Sequence, residues 1–346
     1  MPGGTGLPGG TGLIVALDAT PLSGPVGGIR RYVAELHAAL EREFPEDRFL
    51  LRSDQIGERP KGLDRYWWLW GLNRQLAGVD VFHGTDFSVP YLKRRPSVLM
   101  VHDLSPWRFG DASDRVRRRL PWLIRLRRYS LILTPSEAIK REVVAHFGVP
   151  AEDVKAVPLA AGASFRPVSG PRRNYFLCVG TMEPRKNLDT LLAAFQLVRE
   201  IRPEYELLIV GRVPGPPSVG FGGPGARPTD EQAVRYLGAV PDEDLPALYS
   251  HAAAVCYPSL YEGFGLPVLE ALQCGAGVIT SRDAALVETG GEATIKVDAR
   301  DVRGWAEAML HAVPDPDKAI KRAAEFSWAR TARMTREVYA AAIRKG

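Results

Sequence analysis

Short apolar runs, each closing on a polar residue and followed by a helical pattern, recur along this chain and begin afresh once, after a proline- and arginine-rich break. Leu13-Ile14-Val15-Ala16-Leu17 ends at Asp18 and precedes a helix over Ile29 to Leu40. Val79 to His83 and Ser97 to Asp103 repeat the pattern, and Ser130 to Thr134 leads into a helix through Ile139, Val143 and Val144, with Ser136 placed as its cap. The break is Phe165-Arg166-Pro167-Val168-Ser169-Gly170-Pro171-Arg172-Arg173. Strand patterns then return at Tyr175 to Val179, Tyr205 to Val210, Val234 to Gly238 and Ala254 to Tyr257, interleaved with helices at Leu188 to Arg199 and Asp244 to Ala252. Runs apolar on both faces belong to parallel strands covered by helices, so each series implies a doubly wound α/β sheet. With 346 residues the chain exceeds the roughly 250–300 that one core supports. The expected organisation is a glycine-rich tail at 1–12, a Rossmann-like domain at 13–165, a linker at 166–174 and a second such domain from 175, the two facing each other across a cleft.

Composition narrows the function classes. The 45 basic and 40 acidic residues nearly balance, and a net charge of +5 is too mild to imply nucleic acid. Cys178, Cys256 and Cys274 are odd in number and widely spaced, which fits a reducing compartment and neither disulfides nor zinc. No apolar run approaches the roughly 18–20 residues of a membrane span, and the N-terminus lacks a leader pattern, so a cytoplasmic location is expected. The stretch Arg115 to Arg128 interleaves seven arginines with Leu120, Trp122, Leu123, Ile124 and Leu126. It reads as a basic amphipathic helix, either a solvated face or a contact with anionic lipid at the inner face of the membrane. Two matches to G-x-G-x-x-G, at Gly4 to Gly9 and Gly220 to Gly225, lack the strand before and the helix after, so neither is a nucleotide fingerprint. The loop containing the second, 211–230, reads as a surface loop or a lid.

Candidate chemistry lies at the ends of the strands, the edge where open α/β sheets bind ligands. Tyr261-Glu262-Gly263-Phe264-Gly265-Leu266-Pro267-Val268-Leu269-Glu270 sets two carboxylates around a glycine loop that opens a helix, with Pro267 suited to the first turn. Free amides there suit a phosphate or a sugar hydroxyl. Glu270 suits the vicinal hydroxyls of a ribose and Glu262 the sugar side. Glu183-Pro184-Arg185-Lys186-Asn187 places two cations before another helix, where they can stabilise a departing diphosphate. Gly27-Gly28 opens the first helix, and His83 and His102 close the second and third strands. Asp242-Glu243-Asp244 and Asp315-Pro316-Asp317 have the spacing of a metal-bound nucleotide site but read as a helix start and a turn, so no metal is required.

These motifs resemble the family 4 glycosyltransferases, retaining enzymes of the GT-B fold, along nearly the whole chain after the glycine tail. Glu262 to Glu270 resembles the family's paired-glutamate motif and Glu183 to Asn187 its donor-phosphate loop. Gly27-Gly28, Val101-His102-Asp103-Leu104 and Thr134-Pro135-Ser136-Glu137 follow in the same order. The resemblance implies that Arg185 and Lys186 hold the donor diphosphate and Glu270 the ribose. Glu262 and the amides of Gly263, Phe264, Gly265 and Leu266 would hold the transferred sugar and phosphate. It also implies that His102 reaches the sugar from the first domain on closure, that Gly27-Gly28 shapes the acceptor side or meets the phosphate, and that Val240 brackets the base. One position departs: many members carry Arg after the glycine of the donor-phosphate strand, where this chain has Thr181, leaving the diphosphate one cation poorer. Residues 326–346 resemble the family's final helix, which returns to the first domain. The implied reaction is metal-independent transfer of a hexose from a nucleoside diphosphate sugar, GDP-mannose ahead of UDP-glucose, with no other cofactor. The acceptor would be a hydroxyl on an oligosaccharide or lipid-linked sugar in polysaccharide or glycolipid assembly. The alternatives are a non-hydrolysing nucleotide-sugar epimerase on the same architecture and a non-catalytic protein that binds membrane or nucleic acid through Arg115 to Arg128.

Overall fold

The computed structural model describes residues 12–24, 27–53, 67–110, 114–211 and 233–346. The glycine tail, both G-x-G-x-x-G matches, most of the 211–230 loop and the side chain of Arg115 lie outside the described residues. The chain divides into two compact units. The first holds residues up to Pro135, Ile139–Val157 and Trp328–Gly346; the second holds Ser136–Ala138 and Pro158–Ser327.

The first unit is built on a parallel six-stranded sheet. Its strands are β1 (Ile14–Asp18), β2 (Arg48–Arg52), β3 (Val81–Gly84), β4 (Ser97–Met100), β5 (Leu131–Thr134) and β6 (Val154–Ala156), in the order β2-β1-β3-β4-β5-β6. Helices α1 (Gly28–Glu43), α2 (Leu72–Gln75), α3 (Ser105–Arg108), α4 (Asp114–Arg125) and α5 (Glu137–Phe147) accompany it. Apolar periodicity finds β1, β3, β4 and β5, whose residues are nearly all buried. It misses the edge strands β2 and β6, because Arg48, Arg52 and Lys155 break the pattern where one side faces water. Trp67 and Trp68, on a π-helical turn, pack with Leu72, Leu76, Val79 and Phe82 against Ala16. The basic helix stops at Arg125, three residues short of the expected end, and Arg127 beyond it is left-handed with φ 45°. Pro121 inside that helix has no amide hydrogen for the Arg117 carbonyl.

The second unit repeats the plan with β7 (Tyr175–Val179), β8 (Glu206–Val210), β9 (Val234–Gly238), β10 (Ala254–Tyr257), β11 (Val278–Ser281) and β12 (Thr294–Val297), ordered β12-β11-β10-β7-β8-β9. Its helices are α6 (Leu188–Ile201), α7 (Leu245–His251), α8 (Leu266–Gln273), α9 (Ala284–Gly290), α10 (Val302–His311) and α11 (Pro316–Ala323). Phe176, Phe195, Leu191, Ile209 and the fully buried Trp305 form its core. The 166–174 stretch clusters with this unit: the Arg172 guanidinium donates to the carbonyls of Ser250, Ala252 and Gly275. The last helix, α12 (Trp328–Lys345), packs on α1 in the first unit. Arg336 pairs there with Asp47 at 2.6 Å, and the Tyr339 hydroxyl meets His83 Nδ1 at 2.7 Å.

Strand order fixes where a ligand can sit. In the first sheet the chain winds from β1 outward to β2, then crosses to β3 and winds the other way, so the connections part between β1 and β3. In the second they part between β7 and β10. Such a switch point leaves a crevice beyond the strand ends, flanked by exactly two loops from adjacent strands.

Candidate functional site

The crevice of the second unit is flanked by the loop after β7, Gly180 to Asn187, and the loop after β10, Pro258 to Gly265. Pro184–Lys186 form a single 3-10 turn, and Asn187 is left-handed at φ 55°, a conformation Asn tolerates better than most residues. Its side-chain amide donates to the carbonyls of Pro258 at 3.1 Å and Ala299 at 2.5 Å, and Leu260 N–H donates to the Arg185 carbonyl at 2.7 Å. The two loops are therefore bolted together through backbone groups, and the side chains between them have little freedom.

Within that frame Lys186 Nζ lies 2.5 Å from Glu262 Oε1 and donates to the Tyr257 hydroxyl at 2.8 Å. Arg185 Nη1 lies 3.3 Å from Glu262 Oε2, while its Nε meets Glu183 Oε2 at 2.8 Å. Lys186 and Glu262 are both buried. Burial resists ionisation of Glu262, but Lys186 and Arg185 outweigh it and hold the carboxyl below its ordinary range. Burial and then the Glu262 charge push the Tyr257 phenol well up, so it stays protonated. Two cations and two carboxylates cancel. The sequence reading gave Arg185 and Lys186 to a phosphate and Glu262 to a sugar as separate duties, whereas the fold bonds all three.

Gly265 has φ +93° ahead of α8, and a Cβ there would lie 2.5 Å from Leu286 Cδ2. That left-handed turn lifts Gly263 and Phe264 out of the helix, with Thr289 Oγ1 donating to the Phe264 carbonyl at 2.6 Å. Asp283 caps α9 by accepting from the amides of Ala285 at 3.0 Å and Leu286 at 3.2 Å, and it also accepts from the Glu262 amide. Burial, with the Glu262 charge adding, pushes the Asp283 carboxyl up to about 6. Glu270 is 1% exposed and accepts from the Tyr249 hydroxyl at 3.1 Å, so it faces α7 behind the loop. Val240 is half-buried just after β9, and Thr181 is exposed. Sequence reasoning missed Tyr257, Asn187 and Asp283. An Asn or an Asp directly before an apolar helix was a readable signal, as at Asn187 and Asp283, but the Lys186 partner of Tyr257 comes from 71 residues away.

The crevice of the first unit is flanked by the segment after β1 and the loop after β3. Gly27 and Gly28 stand at the start of α1. His102, after β4, directs Nε2 to the Thr85 carbonyl at 2.8 Å, with its ring edge-on to Tyr32 and Phe87. His83 is not there. It is fully buried in β3, its ring nitrogens meeting the hydroxyls of Tyr32 and Tyr339, and burial lowers its pKa to about 3. Asp103 accepts from the Ser105 amide and hydroxyl, the local turn cap its type suggests.

Among the described residues no group of three or more His, Cys, Asp or Glu could hold a metal ion, and no helix is long and apolar enough to cross a membrane. Asp315 caps α11 through the Lys318 amide. The three cysteines are buried and free.

Residues 26–161 match the family model described as Glycosyltransferase Family 4, and residues 173–315 match Glycosyl transferases group 1. O-antigen chain mannosyltransferase B of Escherichia coli is 35% identical over 282 residues, 75% of this chain and 74% of that protein. The chain belongs to the family 4 glycosyltransferases. MMP alpha-(1->4)-mannosyltransferase of Mycolicibacterium hassiacum is 31% identical over 68% of the chain, which spans 57% of that relative's length. Among solved structures, sucrose-phosphate synthase from Thermosynechococcus elongatus matches with TM-score 0.72 at 20% identity, covering 95% of this chain and 98% of that one. Anabaena HepE in complex with UDP-glucose matches with TM-score 0.73 at 18% identity over 95% and 99%. The fold of this glycosyltransferase is GT-B, each unit a doubly wound α/β sheet.

Proposed function

We propose that the protein transfers a hexose from a nucleoside diphosphate sugar to a hydroxyl acceptor with retention of anomeric configuration and without a metal. The observation that carries the proposal is the Glu262, Lys186 and Arg185 cluster at the switch point of the second unit. Its cations, the buried Lys186 and the half-buried Arg185, are positioned yet neutralised. An arriving diphosphate competes with Glu262 for Lys186 and Arg185, and a carboxylate released from them is an acceptor for sugar hydroxyls. As the bond to the sugar breaks and charge grows on the leaving phosphate, both cations gain interaction energy, which is the condition for lowering a barrier. Glu270 serves the ribose once a bound nucleotide competes with Tyr249, Val240 lies beside the base, and the amides of Gly263 to Leu266 face the phosphate. In the first unit His102 serves the transferred sugar, and Gly27-Gly28 the acceptor side or the phosphate.

Mannose is favoured over glucose because two of the relatives above are named mannosyltransferases. A thermal-shift screen of GDP, UDP, ADP and their sugars separates the donors, since a ligand at about 100 times its Kd adds about 2.7 kcal/mol. GDP and GDP-mannose should give the largest shifts. The absence of a shift with any of them overturns the reading, and epimerisation of donor without acceptor replaces it by the epimerase alternative. Excess chelator should leave turnover intact, and NMR of the product should show the donor's anomeric configuration.

The location of the work rests on a different observation. On α4 and just beyond it Trp122 is 45% and Leu126 42% exposed, beside the exposed Arg125 and Arg127. Aromatic and aliphatic side chains among arginines suit the headgroup region of an anionic bilayer, where each basic residue contributes about 1 kcal/mol. Cosedimentation with phosphatidylglycerol vesicles but not phosphatidylcholine, weakened by Trp122→Ala, is the expected result for an enzyme working at the cytoplasmic face. Equal recovery with both vesicles removes the membrane from the account.

A further inference from the structure

The loop after β3 holds a carboxylate that the sequence reading did not single out. From Val81 to Pro90 every residue is buried except Asp86, which is half-buried. The loop around it is rigidly made. Thr85 Oγ1 donates to the Asp18 carbonyl at 2.7 Å, the Phe87 amide donates to the Met100 carbonyl at 3.1 Å, and Arg119 donates to Ser88 Oγ. Phe87 is left-handed at φ 49°, a strained state for an aromatic residue, and such strain persists only where surrounding structure enforces it. Asp86 is thus the one residue of this buried run that keeps partial exposure, next to a strained backbone position.

Asp86 sits beyond the end of β3, on the crevice between β1 and β3 where the connections part. Its carboxylate makes no hydrogen bond or ion pair among the described residues. His102, Arg119 and Asp103 lie close enough to act on it electrostatically, and burial raises its pKa. Arg119 is engaged with Ser88 and with the Trp68 ring. His102 Nε2 faces a carbonyl, which only accepts, so that nitrogen carries a proton and is engaged with Thr85. The crevice therefore offers one unengaged acceptor, the Asp86 carboxylate. A ligand that satisfies it must bring a donor, which a hydroxyl group does and an ionised phosphate does not.

We infer that Asp86 is the acceptor-binding carboxylate of this enzyme, taking a hydrogen bond from a hydroxyl of a saccharide held at the β1–β3 switch point beside His102. The inference rests on the proposed transfer reaction but concerns the first unit alone. Saturation-transfer NMR with methyl α-mannoside, in the presence of GDP, tests it on the wild type, Asp86→Asn and Asp86→Ala. The wild type should bind the glycoside, Asp86→Ala should lose about tenfold or more in affinity, and Asp86→Asn should lose less because its amide keeps one acceptor oxygen. GDP-induced thermal shifts should be equal in all three. Unchanged glycoside binding in Asp86→Ala overturns the inference, as does a wild type that binds none. A GDP shift lost in both variants would make Asp86 a residue of the fold instead. A wild type that binds the glycoside but no nucleotide refutes the donor reading and leaves the Asp86 assignment standing.

Discussion

Replacing Lys186 by Met keeps most of the stem and removes the charge and its three donors. Glu262 is then left buried with Arg185 at 3.3 Å as its cation, and the Tyr257 hydroxyl loses its donor at 2.8 Å. Removing one partner of a buried pair costs about 3–5 kcal/mol, and the surviving arginine puts this case near about 3. In a unit of this size about 1 kcal/mol moves Tm by about 2–4 °C, so the expected fall is about 6–12 °C. Glu262→Gln in the same background removes the stranded charge, and the double variant should be more stable than the sum of the singles by about 1–3 kcal/mol. The pH dependence has a definite sign. Glu262 is held below its ordinary range in the fold, so its stabilisation is complete above the unfolded value and is lost as pH falls through the folded one. Thermal melts of wild type and Lys186→Met followed by near-UV circular dichroism should therefore differ at neutral pH and converge in acid. A gap that persists unchanged in acid, or additivity in the double variant, refutes the reasoning. In turnover, Lys186→Met should lower kcat more than it raises the donor KM if the charge acts on the leaving group.

Gly265→Ala places a Cβ in a left-handed position and 2.5 Å from Leu286 Cδ2, so it should cost at least about 1–2 kcal/mol and shrink the nucleotide-induced thermal shift by displacing the Glu262 loop. Tyr339→Phe strips a buried hydroxyl from His83 Nδ1 and should lower stability by about 1–3 kcal/mol in urea titration while leaving nucleotide binding intact. Asp283→Asn has the opposite sense. The Asp283 carboxyl is raised to about 6, so its ionised form is penalised in the fold at neutral pH and the penalty vanishes as pH falls. The neutral amide should then stabilise the protein by on the order of 1 kcal/mol at pH 8, with the gain fading below pH 6, provided its oxygen still caps α9. Melts at the two pH values check it, and a less stable variant at pH 8 sinks the argument.

Strand patterns were legible at buried runs such as Ile14–Asp18 and Tyr175–Val179, missed at the equally buried Val278–Ser281, and illegible at Arg48–Arg52, where an edge position lets arginines interrupt the run. The end of the basic helix was misjudged because composition continues to Arg128 while Arg127 turns left-handed. Histidines at strand ends looked alike in the sequence. The fold separates them, burying His83 between two tyrosines and leaving His102 beside the crevice, because one belongs to the strand and the other to the loop after it.

By itself the sequence determined the alternation of parallel strands and helices, the restart into a second unit, and the residue types at the strand ends, because period and composition are local. The tertiary structure decided the partners. Lys186 and Glu262 are 76 residues apart and meet at 2.5 Å only because β10 returns to lie beside β7. Asp86 gained meaning the same way, since only the strand order places its loop at a switch point. Neighbours in a sheet are chosen by the burial of whole strands, and no window of sequence contains both sides of that choice.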